Sequence, residues 1–170
     1  MLIYLLVVLI VCFIALIMKK KNLERKWTFF DAFILLFLVV FSGIRFNVGS
    51  DYESYYYIYN NIISSTFSLD AYNATTQEFG FYLLSYITKK ISDSPYGIFW
   101  VSAVITYVPI YIRMKKDSKD FAFSILLFFL LGLYTIPFNT IRQWIAIAIN
   151  FYSLRYIDTN KRNFIILNCR

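Results

Sequence analysis

The sequence predicts an all-α, polytopic integral membrane helix bundle, with about five transmembrane helices and one outer interfacial or re-entrant helix. Three observations carry that expectation. The chain is 59% hydrophobic, where soluble domains are roughly 45–50% apolar. Its mean hydropathy is +0.59. Charged residues, 16% of the chain, gather in short clusters between apolar runs, where orientation signals belong.

The elements follow in order. Leu2 to Met18 carries no charge and is at the short end of what crosses a bilayer. No basic residue precedes it and KKKNLERK follows, the reverse of a secretory signal's charge order, so it reads as a first span with its N-terminus outside. Phe29 to Ile44 is the second span, with Asp31 near its inner end. Pro95 to Ile112, Phe121 to Phe138 and Thr140 to Ile157 are the third, fourth and fifth, and Asn163 to Leu167 reads as the opening of a sixth. FGFYLLSYI, Phe79 to Ile87, is apolar but meets Lys89 and Lys90 too soon to span. It suits an interfacial helix.

The loops set the orientation. Lys19, Lys20, Lys21, Arg25 and Lys26 separate spans one and two. Arg113, Lys115, Lys116 and Lys119 follow span three, and Arg155, Lys161 and Arg162 surround the end of span five. With these on the cytoplasmic side the positive-inside rule holds at each loop. The region Arg45 to Ser94 is then outside, together with Asp51, Glu53, Asp70, Glu78 and Asp93.

Composition also excludes. The net charge of +7 is confined to span ends and offers no basic face for phosphates, so no nucleic-acid partner is expected. Histidine is absent, which removes a His-based triad and His-ligated zinc within these residues. Cys12 and Cys169 form neither a metal-ligand pair nor a disulfide framework. No metal and no cofactor are expected.

Three stretches could carry chemistry. SGIRFNVGSDYESYYYIYN places Arg45 at the outer end of span two, where it can snorkel to water, with Gly43 and Gly49 on either side. Asp51 is positioned to cap the helix after it. Tyr52, Tyr55, Tyr56 and Tyr59 fall on one helical face, either an interfacial aromatic belt or a platform for stacking on sugar rings. PFNTIRQWIAIAIN makes a brief turn and starts span five with Arg142 and Gln143, while Ala146 and Ala148 permit close packing behind them. Arg45 and Arg142 on the same outer side make a candidate anion site, because guanidinium forks match phosphate oxygens. In QEFGFYLL, Glu78 precedes the interfacial segment, where a raised pKa would suit it to proton transfer and simple solvation is the alternative.

Arg45 with VGSDYESY, the EFGF element and NTIRQWIAIAI, in that order, resemble the EpsG-like family. These are multi-spanning membrane proteins of exopolysaccharide and capsule synthesis, grouped with Wzy-type polymerases. The resemblance implies a metal-independent polymerase that joins oligosaccharide repeats carried on undecaprenyl pyrophosphate. The resemblance also implies that this work takes place at the outer face of the bacterial cytoplasmic membrane, with other polysaccharide assembly proteins as partners. Under it, Arg45 and Arg142 clamp the pyrophosphate, and Gln143, Tyr52 and Tyr55 take part in substrate binding. Asp51 or Glu78 is the base, Asp51 ahead because its motif is tighter. Family members continue through further spans with a histidine-bearing segment, whereas this sequence ends at NFIILNCR without one. Residues 1–170 are therefore expected to be a single transmembrane domain, the N-terminal part of a larger protein. The alternative is a non-enzymatic subunit or inactive remnant within a polysaccharide assembly or export system. A transporter or channel would want ionisable residues near mid-membrane, and here they lie at span ends.

Overall fold

A computed structural model of the protein describes residues 2–23, 26–63, 67, 69–75 and 77–156. The apolar run expected at Asn163 to Leu167, the end of the fifth run at Ile157, and Arg25, Lys161, Arg162 and Cys169 lie outside the described residues. Among the described residues every element is helical. α1 is Leu2–Lys20, α2 Phe29–Gly43, and α3 Tyr52–Tyr57, which runs on as a π-helical turn Ile58–Ile62. α4 is Leu69–Asn73, α5 Phe79–Ile91, α6 Tyr96–Asp117, α7 Phe121–Leu130 and α8 Ile141–Ser153. Short 3-10 turns at Ile136–Phe138 and Leu154–Tyr156 flank α8.

α6 is the axis. It packs on α2 and on α8, and touches α5 and α7, while α1 lies against α7 and α2. At 22 residues with a stretch of mean hydropathy 1.4, it is the one helix among the described residues long and apolar enough to cross a membrane. α2 and α7 are shorter apolar helices. The α2–α6 contact is close because Gly43 has no side chain: a Cβ there would meet the Trp100 ring at 2.6 Å. Two tyrosines tie the layers together. Tyr107 donates to the Tyr134 carbonyl at 2.8 Å, and Tyr134 donates to the Leu38 carbonyl at 3.0 Å.

One end of the bundle is fastened by charge. Asp31 and Lys115 form an ion pair of 2.6 Å with side chains only 1% and 2% exposed. Tyr111 donates to Asp31 Oδ1 at 2.7 Å, while Thr28 donates to Oδ2 through its amide and its hydroxyl. Lys115 also donates to the Leu23 carbonyl at 3.4 Å. A buried pair survives only when further hydrogen bonds satisfy both ions, which is the arrangement here. At the same end Lys19 pairs with Asp120, whose Oδ1 accepts from the Phe123 amide as the cap of α7.

The fourth run departs from expectation. An unbroken helix over Phe121 to Phe138 does not form; α7 stops at Leu130. Gly132 takes φ +71°, a left-handed conformation that ends helices, and its carbonyl accepts from the Thr135 amide and hydroxyl. The connection to α8 is therefore a long folded turn instead of a brief one. α5, by contrast, forms as a separate short helix, and its 13 residues span about 20 Å at 1.5 Å per residue, short of a bilayer core.

Candidate functional site

The end of the bundle opposite the Asp31–Lys115 pair holds a cavity of about 470 Å³. Three elements build it. The turn after Gly49, where φ is +106°, brings in Asp51 and the start of α3. Gly49 can take this shape beside the Phe138 carbonyl and Asn139 because it has no Cβ, which would lie 2.7 Å from both. Asn139 Oδ1 accepts from the Ser50 amide at 3.0 Å and fixes the turn against the start of α8. α5 contributes Glu78, Phe81 and Leu84, and α8 contributes Arg142, Gln143, Ile145, Ala146 and Ile149. On α8 the residues 142, 145, 146 and 149 share one face, so a single helix supplies a guanidinium at one end and an apolar wall below it.

Sequence reasoning brought together Asp51, Tyr55, Glu78, Arg142 and Gln143, and all five line this cavity. Arg142 donates from Nη1 to Glu78 Oε2 at 2.7 Å and from Nε to the Tyr55 hydroxyl at 3.4 Å. Glu78 is 70% exposed on its side chain. Its pKa lies below the ordinary carboxylate value, first through its own backbone amide and then through Arg142. Of the two readings open for Glu78, a raised pKa at a dry boundary and simple solvation, the structure fits the second: Glu78 faces water and a cation. Asp51 stands at the head of α3 but makes no side-chain capping bond; its Oδ1 accepts from Ser50 Oγ at 3.2 Å. The expected cap is corrected, leaving the carboxylate directed to the cavity it lines.

Two predicted residues lie elsewhere. Arg45 does not reach water; it is 6% exposed, over the rings of Phe99 and Phe138 at 4.9 and 4.8 Å. It borders a separate small pit, so the expected pairing of Arg45 and Arg142 around one cavity is not formed. Tyr52 is also buried, stacked on Phe99 with ring centroids 4.7 Å apart. That contact occupies the ring face a sugar would need, and Tyr55 and Tyr59 are buried beside it with Phe81 and Ile141. Tyr52, Tyr55 and Tyr59 are thus core, and Tyr56 is exposed at their edge, so the stripe does not form an open four-ring platform. Burial raises the Tyr59 hydroxyl to about 12, and it donates to the Ser92 carbonyl at 2.8 Å. Thr140, at the rim of the cavity, was not singled out from sequence; its position directly before IRQW was the available signal.

Among the described residues no group of three or more acidic or thiol side chains comes together as a metal site. The chain matches the model of the EpsG family over residues 28–169, and it belongs to that family, a membrane-associated one. No curated protein and no solved structure matches it.

Proposed function

We propose that this EpsG-family protein holds the phosphate end of a lipid-linked saccharide in the cavity between α3, α5 and α8 and takes part in joining exopolysaccharide repeat units. The observation that carries the reading is the make-up of that cavity. Asp51, Glu78, Arg142 and Gln143 form one pole, and Phe81, Leu84, Ile145 and Ile149 form the other. A ligand with a charged head and an apolar tail suits both poles at once.

The outward-facing residues support a membrane setting. Leu5, Leu9, Phe13 and Leu16 on α1, Leu36 on α2 and Leu130 on α7 are 57% to 70% exposed. Water rarely tolerates apolar surface so extensive, whereas hydrocarbon does. In this reading the apolar helices cross the bacterial cytoplasmic membrane several times, α5 lies along the outer interface, and the cavity opens on the outer side.

The transfer balances as follows. An acceptor hydroxyl oxygen bonds to the anomeric carbon as the bond from that carbon to the pyrophosphate oxygen breaks. The electron pair leaves with the pyrophosphate, stabilised by Arg142, and the hydroxyl proton passes to Asp51. Asp51 is preferred to Glu78 as base because Glu78 is engaged by Arg142. Removing a positioned charge-stabilising donor costs about 10²–10³ in rate. Arg142→Ala and Asp51→Asn, introduced into the gene in its native host, should therefore each abolish long polymer, while Lys21→Ala at the opposite end leaves it intact. Polymer of normal length and amount in both site variants would show that the cavity is not where repeats are joined, and would favour a non-enzymatic assembly subunit.

A further inference from the structure

Arg45 is a buried cation that the cavity does not use. Its Nε–H has no acceptor, and no carboxylate pairs with it among the described residues. The guanidinium lies over the Phe99 and Phe138 rings, so the donors in its plane are what remain for a ligand. They meet a pit of about 10 Å³ walled by Ser42, Ser102, Thr106 and Tyr107 from α2 and α6. Ser102 Oγ, also buried, has no hydrogen-bond partner either. Two unsatisfied polar groups and a positive charge thus converge on one void.

The geometry points to a binding site for a single monatomic anion, chloride or a close equivalent, held by Arg45 and Ser102 between α2 and α6. Size sets the class. A void of this volume takes about one water-sized particle, so phosphate, pyrophosphate or a carboxylate cannot enter. Charge then separates an anion from water. A water molecule would satisfy both donors but leave the guanidinium uncompensated, and buried charges in proteins are paired. The two aromatic faces offset part of that charge and no more. Chloride is somewhat larger than water, so its entry calls for a change of χ1 that swings the Thr106 hydroxyl oxygen aside, a side chain whose helical χ1 has two open wells. The site is distinct from the proposed substrate cavity, so its failure leaves that reading untouched.

The test is thermal unfolding of the full chain in detergent, in sodium chloride and in sodium gluconate at matched ionic strength. Chloride should raise the midpoint by a few degrees in a saturable way, bromide should do the same, and gluconate should not. Arg45→Gln should remove the chloride dependence. Ser102→Val supplies a second variant that keeps the charge and fills the pit, and it too should lose the dependence. An equal response to gluconate, no response to any anion, or a chloride response that survives in folded Ser102→Val protein would each overturn the proposal.

Discussion

Asp31 lies in the first turn of an apolar helix and Lys115 in the last turn of another, and neither side chain reaches solvent. Deleting one partner leaves the other charge buried without its counter-ion, which typically costs about 3–5 kcal/mol. Asp31→Asn and Lys115→Met should each lower the unfolding midpoint sharply, and the double replacement Asp31→Asn with Lys115→Met should lose clearly less than the sum of the two. Additive losses in the double variant would mean the pair is not coupled. Glu78 makes the opposite case. Its pair with Arg142 is mostly exposed, and such pairs contribute only about 0–1 kcal/mol to stability. Glu78→Gln should leave the fold intact yet tighten binding of a pyrophosphate lipid up to about fivefold, because 1 kcal/mol of competition for Arg142 disappears. Sign matters for pH. Glu78 has a depressed pKa, so its contribution is present above the ordinary carboxylate value and fades only as pH falls through the lower folded one. Between about pH 5 and 8 this pair should therefore add no pH dependence to ligand binding. Titration of a fluorescent lipid pyrophosphate against both proteins reads the two expectations together.

Helix packing depends on features that a residue pattern shows unevenly. α5 was legible, since a short apolar run ended by two lysines has few other solutions, and the Arg142 end of α8 was legible from IRQW following a turn. The early end of α7 was not. FAFSILLFFLLGLYTIPF is apolar throughout, and what stops the helix is one glycine in a left-handed conformation with Thr135 bonding back to it. Hydropathy does not register that choice. Arg45 was misplaced for a related reason: its burial depends on Phe99 and Phe138, distant in sequence, and only the fold brings their rings over it. Tyr52, Tyr55 and Tyr59 do share one buried face, with Tyr56 exposed at its edge, but α6 and α5 supply what that face packs against. Gly43 tests the same packing. Its neighbour is a rigid indole and not the tip of a flexible chain, so Gly43→Ala must push α2 from α6, at about 1–3 kcal/mol for an overpacked contact. Trp100→Leu in the same chain should relieve much of that cost, measured again as the unfolding midpoint. No relief would place the strain in the backbone of α2 instead.

The whole molecule has two ends of different chemistry, and the span count turns on how they face the membrane. One end gathers Lys19, Asp120, Asp31 and Lys115, linked by ion pairs across α1, α2, α6 and α7. The other gathers Asp51, Glu78, Arg142 and Asn139, linked across the turn after Gly49, α5 and α8. The membrane reading assigns the first end to the cytoplasm, because basic residues are retained there. Tyr57, 60% exposed, belongs to the second end, and Lys119, exposed, belongs to the first. Between them along the chain lie α4, α5 and α6. If α6 alone crosses, the two positions face opposite sides; if α5 crosses as well, they face the same side. Single cysteines at the two positions, in a background with Cys12 and Cys169 replaced by serine, resolve this with a membrane-impermeant maleimide. The cysteine at 57 should label in intact cells and the one at 119 only after permeabilisation. Labelling of both in intact cells would make α5 a crossing element, which its 13 residues permit only if the bilayer thins around it. It would also turn the inner loops after α6 outward, against the charge asymmetry, so the expected pattern satisfies helix length and loop charge together where the alternative satisfies neither.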